Sequence, residues 1–408
     1  MTEYRPPASA KLPLESLSPF SRRKERAFAA ISFSLTLILC LLVAEIGLRI
    51  LKRDVAFQPD QDLIRSLLPR KDQVVPTYET EENLNGSSQE IPRTPACVIA
   101  HTNNLGFRMI EDVMPKETNE KRILLLGDSY AEALDAEGSR FTDIVDLRLR
   151  SLSPPGVRWR LINGGIQNGC PSQYVLQLRR FLPEIKPDIV LVALAPNDLN
   201  DDMVFERDYG FDFDEAGIPI RPRCRFRLWL LKKSYLLRYI EMALQRAAPR
   251  IHQIAFPPAS PGTQVVDWKA LLCTDDEAAR QLFLRKTGRY LERLREMTEA
   301  HHARFGVFLI HYLNTFDDEP YYTPRFPTLE KELERYRCHE NRGRPYNEFM
   351  EAFLRGNRFL YWNPYEALMR AKQKNPKRKL WNFYDYHFSR YGHQVVAEDL
   401  LAFLKPML

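Results

Sequence analysis

The 408-residue sequence predicts a doubly wound, three-layer α/β/α domain with a parallel central sheet, carried behind one N-terminal transmembrane helix. Three observations predict it. From about His101 onward, short continuous apolar runs alternate with stretches at helical spacing, the pattern of parallel strands buried on both faces. A hydrophobic content of 44% is enough to bury a sizeable core. Near the N-terminus, the eighteen residues from Ala27 to Ala44 carry no charge.

Residues 1–26 are expected to stay in the cytoplasm and 27–51 to form the anchor. At about 1.5 Å per residue the uncharged run makes roughly 27 Å of helix, close to the thickness of a bilayer's hydrocarbon core. Continuing to Leu51 adds Glu45 and Arg49, which lie four apart on one helical face and can pair at the membrane surface. A cleaved signal peptide is the alternative. Against it, the leader is long, no small-x-small site follows the apolar run, and Leu39 rather than a small residue precedes Cys40. Lys11 and the cluster Arg22, Arg23, Lys24 and Arg26 outnumber Arg49, Lys52 and Arg53, which keeps the N-terminus inside and exports the remainder. Beyond the anchor lie Cys97, Cys170, Cys224, Cys273 and Cys338; an oxidising compartment permits pairing, although five cannot all pair.

Residues 52–100 read as a tether with some local structure, given scattered charges, Gly86-Ser87-Ser88 and no sustained apolar period. The body, 101–408, offers strands at Arg122 to Leu126, Arg158 to Asn163, Asp188 to Leu194, Gly306 to His311 and Arg358 to Trp362, then a last helix from Ser389 to Leu404. Sheets of this kind place their sites at the carboxyl ends of the strands. An insertion at about 200–276 interrupts the alternation. Within it, Arg225 to Leu244 reads as an amphipathic helix that packs on the domain's flank, covers the site as a lid, or rests on the membrane.

Four strand ends or loops carry residues fit for chemistry. Gly127-Asp128-Ser129 ends the first strand, where Ser129 or Asp128 could cap the following helix or Ser129 could be a nucleophile. A helix N-terminus favours negative charge forming beside it. The second strand runs into NGGIQNGCPSQY, Asn163 to Tyr174, whose glycines permit close approach of backbone to a ligand. The third runs into ALAPNDLND, Ala193 to Asp201, where Asn197 could cap the next helix or send its amide into the crevice. Before the last helix, Asp385 and His387 stand two apart, so that in an extended segment the carboxylate can hold the imidazole.

In order and spacing these blocks resemble the GDSL/SGNH hydrolase family, whose fold is a flavodoxin-like α/β/α sandwich. Asn103 to Arg108, NNLGFR, looks like the stretch preceding the GDS strand in bacterial membrane-anchored members, and Glu45 to Arg49 matches the E-x-G-L-R that closes their anchor. The resemblance covers Asn103 to about Val204 and Gly306 to the C-terminus. It makes Ser129 the nucleophile, His387 the general base and then acid, and Asp385 the orienting carboxylate. The oxyanion hole it implies is built from the backbone N–H of Ser129, a backbone N–H of Asn168 or Gly169, and the side chain of Asn197. The chain reads GDSY for GDSL, Ala-Pro-Asn-Asp for the commoner Gly-x-Asn-Asp, and D-x-H for D-x-x-H, which leaves Asp317 and Asp318 as alternative acids.

The implied activity is a serine esterase of O-acylated carbohydrate or small-ester substrates, set in the inner membrane with its catalytic domain in the periplasm. An O-acyltransferase on an exported polysaccharide, a lipase, and an idle glycan-binding or assembly subunit are the alternatives. No cofactor is implied, and no metal, since no His/Cys spacing suggests a site and His301 and His302 adjoin on a charged helix end. Nucleic acid is not an expected partner: the net charge is +6, but 59 basic and 53 acidic residues are interspersed with no basic stripe.

Overall fold

The computed structural model describes residues 19–51, 73–77, 96–133, 138–215, 217–223, 234–257, 260, 262–263, 265–311, 344–381 and 387–408. Asp385, Asp317, Asp318, Cys224 and Cys338 lie outside the described residues, as does the 225–233 part of the inserted amphipathic stretch.

Among the described residues the body is built on five parallel strands: β3 (Glu120–Leu126), β4 (Arg158–Asn163), β5 (Ile189–Leu194), β8 (Arg304–Leu309) and β9 (Leu360–Trp362). Their spatial order is β4-β3-β5-β8-β9. Counted along the chain that is 2-1-3-4-5, the flavodoxin-like order, so connections run to opposite edges from β3 and from β5 and a crevice opens between those two strands' carboxyl ends. Apart from this sheet, the described residues also form two antiparallel pairs, β1 (Gln73–Thr77) with β2 (Ala96–Ala100), and β6 (Phe211–Phe213) with β7 (Pro219–Pro222). The first pair falls within the stretch read as a tether.

The strands are apolar without alternation because both faces are covered. In β3, Leu124 and Leu126 face one layer while Ile123 and Leu125 face the other, as a period of two requires, and all four are fully buried. The first layer packs helices Pro171–Ile185, Arg289–Glu299 and Arg344–Gly356 onto the sheet. The second packs Phe141–Leu152, Tyr365–Lys374 and Arg390–Leu404. This is the predicted three-layer α/β/α architecture.

An N-terminal helix, Pro19–Leu51, is long and apolar enough to cross a membrane. Most of its large apolar side chains between Phe28 and Ile50 are exposed, and Arg49 Nε donates to Glu45 Oε1 at 2.8 Å, the pairing anticipated from their spacing. The insertion holds helices Tyr235–Ala247 and Pro249–Ala255. The first covers the described part of the expected Arg225 to Leu244 helix, with Ser234 at its N-cap, where the hydroxyl accepts the Leu237 N–H. Among the described cysteines, Cys40 and Cys170 are free and Cys273 is disulfide-bonded.

Candidate active site

Leu126 ends β3, and Gly127 turns the chain so that Asp128 caps a short helix, Ser129–Glu132. Asp128 is the cap: its carboxylate accepts the Tyr130 N–H at 2.9 Å. Ser129 is therefore the first helical residue, where backbone N–H groups have no intrahelical partner and the dipole favours an anion.

The turn is tightly enclosed. A Cβ on Gly127 would come within 2.7 Å of Ala131 Cβ and 2.8 Å of Ala193 Cβ. Gly165, in the loop after β4, lies against the short helix itself, and a Cβ there would sit 2.2 Å from the Glu132 nitrogen. Gly165→Ala is expected to cost about 1–3 kcal/mol of stability through overpacking and to lower activity by displacing Ser129. Thermal melts alongside ester turnover check this; a variant with native activity contradicts it. From the other side, the buried Arg108 guanidinium donates to the Ala133 carbonyl at the end of the short helix, and Arg140 Nη1 donates to the Arg108 carbonyl at 3.0 Å. The NNLGFR stretch thus braces the turn that carries the serine.

Two residues 258 positions apart meet here. His387 Nε2 lies 2.7 Å from Ser129 Oγ. His387 precedes the Ser389 cap of the last helix, and Phe388 is buried against Trp381 and Tyr130. The Tyr130 ring lies 4.9 Å from the imidazole, so one aromatic cluster fixes both the serine helix and the histidine segment. With its proton on Nδ1, the imidazole accepts the serine hydroxyl through Nε2.

Asn197 stands at the carboxyl end of β5, across the crevice. It occupies the N-cap position of helix Asp198–Tyr209 without capping it; its Nδ2 donates to Asp201 Oδ2 at 2.6 Å, and its side chain also hydrogen-bonds Asp128. In the loop after β4, the Gly169 N–H donates to the Ile166 carbonyl at 3.0 Å, closing a turn in which Asn168 is left-handed at φ 51°.

Sequence reasoning missed a buried carboxylate group beneath the serine. Burial pushes Asp128 up to about 6, opposed by the Tyr130 N–H, the nearby His387 and Asn197. Burial likewise pushes Asp201 up to about 7, against hydrogen bonds from Asn200 and Asn197, and Asp202 up to about 6, against Thr287 and Ser172. Asp198 is pushed well above its ordinary range by burial and then by Asp128. The doubled acids of Asn197-Asp198-Leu199-Asn200-Asp201-Asp202 were the available signal.

These carboxyl groups hold protons more tightly folded than unfolded. Their stabilising contribution is complete below about pH 4 and is lost as pH rises through about 6 to 7. His311, pulled down to about 4 by burial, acts oppositely, but only as the unfolded imidazole protonates at about pH 6.5 and below. The expected result is a melting temperature that rises as pH falls from about 8 to about 6.5. Calorimetry across that range checks it, and a flat or falling profile contradicts it.

No family model and no curated protein matches the chain. Solved structures similar to it include TesA, 13% identical over 71% of this chain and 100% of that one with a TM-score of 0.34. LAE5, an alpha/beta hydrolase from the metagenome of Lake Arreo, is 15% identical over 69% and 94% with a TM-score of 0.35. Axe2, an acetylxylan esterase from Geobacillus stearothermophilus, is 15% identical over 70% and 94% with a TM-score of 0.32. At these identities and TM-scores none of them assigns a chemistry to this chain.

Proposed function

We propose that the chain is a membrane-anchored, extracytoplasmic serine esterase of the SGNH/GDSL type, hydrolysing O-acyl esters of carbohydrates or small molecules through an acyl-serine. The observation that carries this is the 2.7 Å approach of His387 Nε2 to Ser129 Oγ at the crevice between β3 and β5. A capping serine does not need an imidazole, whereas a nucleophile needs a base within this reach.

In the proposed reaction His387 Nε2 takes the Ser129 proton as Oγ bonds to the ester carbonyl carbon. The oxyanion is met by the Ser129 N–H and the Asn197 amide, with Asn168 or Gly169 completing the set. Gly169 serves only by releasing the Ile166 carbonyl. The intermediate collapses as His387 passes the proton to the leaving alkoxide, and water then repeats the cycle on the acyl-serine. Asp385 is the proposed orienting carboxylate for His387. Ionised Asp128 supports the imidazolium, since its attraction to His387 is one of the effects opposing its upward shift.

Anchoring is supported by the exposed helix with its uncharged run from Ala27 to Ala44, whose apolar surface a bilayer would cover. Export is supported by the disulfide at Cys273, a bond that persists in oxidising compartments.

Supplying an acyl-labelled acetyl ester to the full-length chain tests the reading. Free labelled acid as the only product supports the esterase. Label appearing on an added glycan turns the second half-reaction into transfer, and no turnover of any ester leaves a binding subunit.

A further inference from the structure

We infer that helices Tyr235–Ala247 and Pro249–Ala255 lie on the surface of the bilayer that the N-terminal helix crosses, with Tyr239, Ile240, Ile251 and Ile254 set among its headgroups. This rests on the anchor reading above and goes beyond it, assigning a role to the insertion.

The inserted helix begins on the anchor itself. Glu45 is the first charged residue after the uncharged run, and its side chain is only 17% exposed. Its Oε2 accepts the Ser234 hydroxyl at 3.0 Å and the Leu236 N–H at 2.8 Å, while Oε1 accepts Arg49 Nε at 2.8 Å. A carboxylate at the edge of hydrocarbon is tolerated when partnered in this way, and the positive end of a helix dipole is a suitable partner. These bonds fix the start of Tyr235–Ala247 at the depth of Glu45, where the apolar part of the anchor ends.

From that fixed point the chain presents apolar surface. Ile251 and Ile254 are three apart on one face of Pro249–Ala255; they are 56% and 81% exposed, and that helix buries no residue. Tyr239 and Ile240, in the preceding helix, are exposed as well. Large aliphatic side chains left at the surface mark a contact, and a tyrosine next to one of them in sequence, Tyr239 before Ile240, suits the boundary between headgroups and acyl chains. Across 235–255 the formal charge is positive, with Arg238, Arg246 and Arg250 against Glu241, as attraction to anionic headgroups favours. The bilayer is favoured over a protein partner because the helix pair is attached to the element that enters it. The consequence is orientation: the insertion fixes one side of the catalytic domain at the membrane rather than leaving the domain loose on its tether.

Photocrosslinking in the full-length chain, reconstituted in vesicles of phosphatidylethanolamine and phosphatidylglycerol, tests this. A photoreactive benzoylphenylalanine replaces Ile254, Ile38 of the anchor, or Ile110, which is 65% exposed on the catalytic domain. For a side chain lying 5–10 Å into the headgroup boundary, lipid adduct at 254 is expected within about twofold of that at 38 and about tenfold above that at 110. Adduct at 38 with none above the 110 level at 254, or a crosslink from 254 to a second protein chain, overturns the inference and leaves the anchor standing. Absence of lipid adduct at both 38 and 254 overturns the anchor and the inference with it.

Discussion

Replacing Ser129 or His387 with alanine is expected to lower kcat/KM for a small acetyl ester by roughly 10⁴- to 10⁶-fold, and replacing both is expected to cost little more than replacing either. The reason is that in the proposed reaction the two groups act as one device. Without Ser129 there is no oxygen to acylate, and without the imidazole 2.7 Å away the hydroxyl keeps its proton at neutral pH. Two independent contributors would instead multiply their losses. Because His387 also lies against the Tyr130 ring, His387→Ala loses packing, so each variant's melting curve is measured beside its turnover. Loss of activity with the melt retained supports the pairing; additive losses, or single variants at wild-type rates, contradict it.

Asn197→Ala is expected to lower kcat by about 10²- to 10³-fold with a much smaller change in KM, the signature of a donor used in the transition state. At rest the Asn197 amide is held by Asp201 and Asp128, so the residue has a structural role beside the proposed catalytic one. The two roles separate in the kinetics. Loss of a carboxylate partner alone raises the proton affinity of Asp128 and Asp201 and shifts the pH dependence of stability, whereas loss of an oxyanion donor lowers kcat at every pH. An Asn197→Ala enzyme with native kcat removes that side chain from the oxyanion hole.

The sheet was legible because its strands are buried on both faces and so read as unbroken apolar runs. Arg158 to Asn163 was placed with its observed ends, and the last helix within one residue. β8 was placed two residues late. Arg304 looks like a surface residue, yet its backbone already pairs beside Ile189, and the strand ends before Ile310. Of the amphipathic stretch expected from Arg225 to Leu244, the described part is helical and runs on to Ala247, with Ser234 as its cap, while 225–233 lie outside the described residues.

At the site, Ser129 and His387 stood out as candidates because a serine at a strand end and an Asp-x-His before the last helix are residue types and positions fit for proton transfer, and the structure brings the two side chains to 2.7 Å. The network joining Asp128, Asn197 and Asp201 was not. It forms only when the ends of β3 and β5 become neighbours, and one sequence states that adjacency nowhere. The brace from Arg108 to Ala133 is hidden for the same reason: its partner is a backbone carbonyl, which carries no residue signature.

Reaction of the full-length chain with a fluorophosphonate, followed by peptide mass mapping, tests the central claim most directly. One adduct on the peptide bearing Ser129 is predicted, absent from Ser129→Ala and formed far more slowly in His387→Ala. A wild-type chain that takes no adduct at Ser129, or ester hydrolysis that survives Ser129→Ala undiminished, contradicts it.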